Sequence, residues 1–141
     1  MPESRAVAPR AEIDAVLDSF HAAAGRADEA SLFERFAPDG VFLGTDATER
    51  WDAQAFRAYV HERFAKGAGW TMTSVRRAVT VRGDVAWFDE DLAHARCGGL
   101  RGSGVLVRGL DGAWRIALYD LAVTVPNERF DAVRSAIAER S

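Results

Sequence analysis

Between Trp70 and Val125 the hydrophobic pattern has a period of two and is cut by three tight turns, and few folds satisfy that arrangement. Gly83-Asp84, Cys97-Gly98-Gly99 and Leu110-Asp111-Gly112 separate four runs: Trp70 to Arg82, Val85 to Arg96, Leu100 to Arg108, and Ala113 to Val125. Short glycine-containing links between such runs make antiparallel hairpins. Three in succession predict an antiparallel meander. The runs are longer than the roughly five or six residues of an ordinary strand. Long antiparallel strands bend and coil, and Gly98, Gly99, Gly102 and Gly104 permit that bending.

Ahead of the meander the period is helical. Ile13, Val16, Leu17, Phe20 and Ala24 form one stripe of a helix over Ala11 to Ala27. Asp28 is placed to cap a short second helix that buries Leu32, Phe33 and Phe36, and Pro38-Asp39-Gly40 then turns the chain. Val41 to Thr45 reads as a short strand. Asp52 caps a third helix over Ala53 to Lys66, with a stripe of Phe56, Tyr59, Val60 and Phe64. Gly67 suits the left-handed conformation beyond its end. After Pro126, Asn127 caps a last helix carrying Phe130, Val133 and Ile137. Helices and strands are therefore segregated, which predicts an α+β fold. A curved antiparallel sheet with helices in its concavity makes a cone that cannot close. An apolar pocket at its open end is the default place for a small ligand.

Length and charge narrow the reading further. The 141 residues suit one domain, expected over 11–141 behind a disordered tail over 1–10 that ends near Pro9. The net charge of −3, with both signs mixed along the chain, argues against a nucleic-acid partner. The single cysteine, Cys97, permits no intrachain disulfide and fits a cytoplasmic location. The opening residues lack the apolar centre of a signal peptide, and no apolar run approaches the ~20 residues that span a bilayer, so no membrane partner is expected.

Four segments carry a resemblance: Phe36-Ala-Pro-Asp-Gly-Val-Phe-Leu-Gly-Thr-Asp, Val85-Ala-Trp-Phe-Asp-Glu, Leu100-Arg-Gly-Ser-Gly-Val-Leu and Trp114-Arg-Ile-Ala-Leu-Tyr. With the order of elements, they resemble the SnoaL-like branch of the nuclear transport factor 2 (NTF2-like) superfamily, over about Ala11 to Ile137. The resemblance implies a cone-shaped α+β barrel, NTF2-like or cystatin-like, and dimerisation through the outer sheet face. That superfamily includes polyketide cyclases, ketosteroid isomerases, dehydratases and epoxide hydrolases. Its enzymes typically move protons with a carboxylate or a histidine inside the cone, without a metal, so neither metal nor cofactor is expected. A shared fold does not settle the chemistry.

The candidate catalytic residues are Asp120, Glu90 and Arg101. Trp114, Ile116, Leu118 and Asp120 share one strand face by parity. If Ile116 and Leu118 face the cone, so does Asp120, and apolar walls would raise its pKa toward that of a useful base. Otherwise it lies exposed or paired near the strand end. Pairing across the last hairpin sets position 120 against 101 or 102, so Arg101 is either an anion holder or a structural partner. Glu90 goes with Phe88 and Leu92. If buried it needs a partner, and is then a site residue or half of a buried ion pair. Tyr119 has the opposite parity to Asp120, so both line the cone only where a bulge intervenes.

The candidate ligand contacts are Phe42, Trp51, Tyr59, Phe88 and Leu118, with Asp46 at the pocket mouth or capping its own turn. Aromatic residues at such spacing also serve simply as core. His21, His61 and His94 are far apart in the chain and make no metal-ligand spacing; His94 shares the parity of Glu90. Cys97, beside two glycines, is incidental. Three functions follow as expectations: a domain binding a small apolar or aromatic molecule; a metal-independent isomerase, cyclase or dehydratase in which Asp120 or Glu90 moves the proton; or a homodimeric protein-interaction module.

Overall fold

The meander forms as its turns predict. The computed structural model describes residues 2–94 and 98–139. β3 (Thr73–Arg82), β4 (Val85–His94), β5 (Gly98–Arg108) and β6 (Trp114–Val123) pair antiparallel in sequence order. Gly83 and Gly112 take the positive φ that their hairpins require, 60° and 83°. Of the second turn, Cys97 lies outside the described residues, whereas Gly98 and Gly99, expected within it, already belong to β5 and pair with His94 and Ala93.

Two further strands extend the sheet. β1 (Phe36–Leu43) lies parallel to β6, and β2 (Arg50–Asp52) pairs antiparallel with β1, so the order is β2-β1-β6-β5-β4-β3. The parallel pair departs from an all-antiparallel expectation, and β2 was not foreseen. Pro38-Asp39-Gly40 does not end an element. It sits where the β1–β6 register shifts between Phe36 and Val41. Proline has no N–H for a ladder, so an irregularity of this kind is where a strand accommodates it.

The helices are α1 (Pro2–Gly25), α2 (Glu29–Glu34), α3 (Ala53–Ala65) and α4 (Phe130–Glu139), the last preceded by a 3₁₀ turn at Asn127–Arg129. α1 begins well before Ala11, where a tail was expected; Glu3, Arg5, Ala6 and Ala8 are ordinary helix formers, and Pro9 lies within the helix. Two of the three expected caps form; Asn127 instead lies within the 3₁₀ turn that precedes α4 and makes no side-chain cap. Asp28 accepts from Ser31 N at 3.2 Å, and Asp52 accepts from Ala55 N at 2.8 Å. Ile13, Leu17, Phe20 and Ala24 of α1 are buried, and they meet Phe56, Val60 and Phe64 of α3 in one core on the concave side of an unclosed, curved sheet. α4 behaves differently. Phe130 and Ile137 remain 58% and 64% exposed, so its stripe is not buried against the described residues.

One irregularity decides the interior. Val105 pairs with Leu118 and Leu106 with Ile116, so Ala117 is an extra residue in β6. Side-chain parity therefore reverses between Ile116 and Leu118. Trp114 and Ile116 face inward, as does Tyr119, whereas Leu118 and Asp120 turn to the outer face. Gly104 lies opposite this bulge, and a Cβ there would collide with the Leu118 carbonyl oxygen. No helix among the described residues is long and apolar enough to cross a membrane.

Candidate functional site

The cone holds two chemically different zones. The deeper is a buried charged cluster around Glu90, whose strand alternation places it inward between Phe88 and Leu92. Its carboxylate accepts from the Tyr119 hydroxyl at 2.7 Å and from Arg77 Nε at 2.8 Å. His21 Nε2 lies 2.7 Å from it. An ionised carboxylate can only accept, so that nitrogen carries the shared hydrogen. Arg77 continues outward to Asp14 at 3.1 Å and Asp18 at 3.0 Å on α1. Gly102 makes room for the cluster, since a Cβ there would take the space of the Tyr119 hydroxyl.

These contacts decide the charges. Burial by itself would raise the Glu90 carboxyl, but the His21 hydrogen bond and charge, the Tyr119 hydrogen bond and the Arg77 charge outweigh it and hold it at about 2. Burial would likewise lower the Arg77 guanidinium; the Glu90 charge and the bonds to Asp14, Glu90 and Asp18 push it up instead. Burial, then the Glu90 charge and hydrogen bond, drive the Tyr119 phenol up, so it stays neutral. Glu90 is thus a fixed anion with its acceptor positions filled.

The second zone is a cavity of about 210 Å³ between the sheet and α3. Phe42, Trp51, Tyr59 and Trp70 form aromatic walls, and Met72, Leu100 and Leu121 supply the remaining apolar surface. The walls are stacked: Trp51 lies 4.4 Å from Tyr59 and 6.1 Å from Phe42, and Phe56 backs Phe42 at 4.4 Å. Polar groups interrupt the lining at Thr45, Glu49, Arg63 and His94. Arg63 Nη1 donates to the Tyr59 hydroxyl at 3.2 Å and Nη2 to the Gly69 carbonyl at 3.2 Å. Among the described residues, no three His, Cys, Asp or Glu side chains gather as a metal site.

The expected site residues divide between these zones and the surface. Phe42, Trp51 and Tyr59 line the cavity, together with His94, as inward parity predicts. Glu90 is buried with partners, which is the ion-pair alternative. Phe88 is core, 5.6 Å from the Tyr119 ring, and is not part of the cavity wall. Leu118 needs correction outright, and for Asp120, Arg101 and Asp46 the interior reading is corrected in favour of the alternative given beside it. Asp120 and Leu118 face outward because of the extra residue at Ala117, and Asp120 pairs in register with Ser103 rather than with position 101 or 102. Arg101 shares the outer face with Asp91 at 4.0 Å and so points away from the interior. Asp46 is exposed and caps its own turn, accepting from Thr48 N at 2.9 Å and from the Thr48 hydroxyl.

The residues that sequence reasoning passed over are His21, Arg77, Glu49 and Arg63. His21 continues the Ile13, Leu17 spacing along α1, so its inward direction was legible. Arg77 shares parity with Val79 and Val81 in β3, which was an equally readable sign. Arg63 follows Tyr59 by four residues on α3, the spacing at which helical side chains meet. Glu49 gave no local signal. It lies within a turn, and it folds against Gly44, where a Cβ would come within 2.9 Å of its own Cβ.

Comparison with solved structures agrees with the geometry of the fold. An NTF2-like protein of unknown function from Pseudomonas putida matches with a TM-score of 0.72 and 17% identity, over 86% of this chain and 91% of that one. A candidate scytalone dehydratase from Novosphingobium aromaticivorans matches with a TM-score of 0.72 and 13% identity, over 89% of each chain. A candidate ketosteroid isomerase from Shewanella frigidimarina matches with a TM-score of 0.61 and 19% identity, over 75% of this chain and 90% of that one. At such identities the likeness is one of fold. No curated protein matches the sequence. The family model for the SnoaL-like domain matches residues 13–126. Spanning most of the chain from Ile13 in α1 to just past the end of β6, that match means the chain belongs to the SnoaL-like domain family.

Proposed function

We propose that the protein binds one small, flat, apolar or aromatic molecule in the cavity beside α3. The observation that carries this reading is the set of four aromatic walls around about 210 Å³ of space. An apolar cavity of about 150 Å³ accepts benzene. The space here therefore suits a molecule of about one or two fused rings rather than a steroid. Calorimetric titration with 2-naphthol tests it. Saturable one-to-one binding is expected, with a negative heat-capacity change from apolar burial. Leu121→Trp, which fills the cavity from β6, should abolish it. Absence of saturation in the wild-type protein would sink the proposal.

Proton-transfer chemistry is the weaker reading on the same geometry. Glu90, held at about 2, is a poor base near neutral pH, and it does not line the cavity. Asp120 and Arg101 lie on the other side of the sheet. The carboxylate that does line the cavity is Glu49. Conversion of a bound ligand by wild type, lost in Glu49→Gln, would reverse this order.

The same proposal includes a homodimer through the outer sheet face. Val85 and Trp87 support it, since each is 42% exposed on one strand of that face. Aromatic residues of this kind are common interface anchors. Sedimentation equilibrium should give a dimer mass for wild type and a monomer mass for Trp87→Glu. A monomeric wild type at tens of micromolar would rule the dimer out.

A further inference from the structure

Two features of the cavity are unmatched. Arg63 is a half-buried cation with no carboxylate partner among the described residues. Its guanidinium lies 5.5 Å from the Trp70 ring centroid, and both of its terminal nitrogens donate to neutral oxygens, those of Tyr59 and Gly69. The negative end of α3 and these oxygens steady the charge, but none of them is a full countercharge. Beside it, Arg63 Nε and the Trp70 indole Nε1 are buried N–H donors without an acceptor among the described residues. Buried donors are normally satisfied, and an unsatisfied one costs stability. The Tyr59 hydroxyl accepts from Arg63, so its own hydrogen is available to an acceptor in the cavity, and the Arg63 bond polarises it. Cation and donors thus gather at one end of an apolar, aromatic-walled space.

We infer that the ligand of this cavity is an aromatic carboxylate of one or two rings, its anionic group held by Arg63, the Tyr59 hydroxyl and the Trp70 N–H. This rests on the reading of the cavity as a small-molecule site and adds the chemical class of its occupant. A planar guanidinium matches a carboxylate in shape and charge, and such bonds are stronger than those to a neutral oxygen. The rings stack against Trp51 and Phe42, which are already parallel within 28°. Glu49, on the loop between β1 and β2, accepts from the Asp46 N–H at 3.0 Å. It repels an anion from its own part of the wall and so orients the ligand with its carboxylate toward Arg63. Binding requires a rotamer adjustment of Arg63 that opens both its own buried N–H and that of Trp70 to the ligand.

The test compares 2-naphthoate with its neutral isostere 2-naphthamide by calorimetric titration at low salt. Wild type should bind the naphthoate about tenfold or more tightly than the amide, the ratio expected for one charge-assisted pair. Arg63→Met, which keeps helix propensity and stem length, should abolish this preference while retaining affinity for the amide. Tyr59→Phe keeps the ring stack and should weaken naphthoate binding several-fold, an independent reading if Arg63→Met folds poorly. Equal or tighter binding of the amide by wild type would overturn the carboxylate assignment and leave the cavity's binding role standing. A preference that survives Arg63→Met would overturn it too. Failure of the naphthoate, the amide and 2-naphthol alike would remove the binding role itself, and this inference with it.

Discussion

Glu90→Gln is expected to lower folding stability by about 3 kcal/mol near neutral pH, seen as a fall of about 10 °C in the thermal midpoint. The substitution keeps the volume of the side chain but removes the anion that faces Arg77, His21 and Tyr119. Arg77 is then a largely buried cation whose remaining carboxylates, Asp14 and Asp18, lie toward solvent on α1. Breaking one side of a buried pair costs about 3–5 kcal/mol, and these two residual partners place the loss at the lower end. The pH dependence separates this cause from simple loss of packing. Glu90 titrates at about 2 when folded, against 4.5 for the ordinary group. The folded state therefore binds fewer protons, and the Glu90 contribution is complete above about pH 5 and lost as pH falls toward 2. The gap between wild type and Glu90→Gln should accordingly narrow across that window in urea titrations. Parallel curves from pH 6 to pH 3 would show that the carboxylate's charge does not stabilise the fold.

Phe56→Ala is expected to cost about 3–5 kcal/mol, the range for deleting a fully buried aromatic side chain. Phe56 has no exposed surface and lies flat against Phe42, at 4.4 Å and 8°. It also meets Phe33 at 5.5 Å and Phe36 at 5.3 Å, so it joins α2, α3 and β1. The space left behind cannot collapse without moving a strand or a helix. Because Phe42 is a cavity wall, the variant should also weaken 2-naphthol binding. Urea unfolding measures the first effect and calorimetry the second. Leu110→Ala, at a fully exposed hairpin turn, is the matched control, with a change within about 0.5 kcal/mol. A Phe56→Ala cost no larger than that of the control would mean that the aromatic stack does not hold α3 in place.

The candidate site was partly legible for a definable reason. Inward placement of Glu90 and His94 followed from counting along β4, a strand that runs without a break. The same counting failed in β6, because Ala117 adds a residue between Ile116 and Leu118 and exchanges Asp120 for Tyr119 in the interior. The cause of that exchange is nonlocal: β5 approaches closely at Gly104, where only a residue without Cβ fits beside Leu118. The glycine was visible as a place where a strand could bend, yet which partner strand would bulge against it was not. Likewise His21 and Arg77 carried inward-pointing spacing, but that they meet at Glu90 depends on α1 packing across the sheet.

Local periodicity and turn chemistry were enough, from the sequence by itself, to determine the α+β class, the helical stripes of α1 and α3, the caps at Asp28 and Asp52, and the strands of the meander. Each depends on residues a few positions apart, where backbone geometry dictates which side chains share a face. Tertiary structure alone decided the parallel seam between β1 and β6, the exclusion of Asp120 and Arg101 from the interior, and the meeting of Arg63, Tyr59 and Trp70 at one end of the cavity. Those outcomes depend on how distant segments pack, and in a close-packed interior one extra residue in one strand is enough to choose which side chain enters.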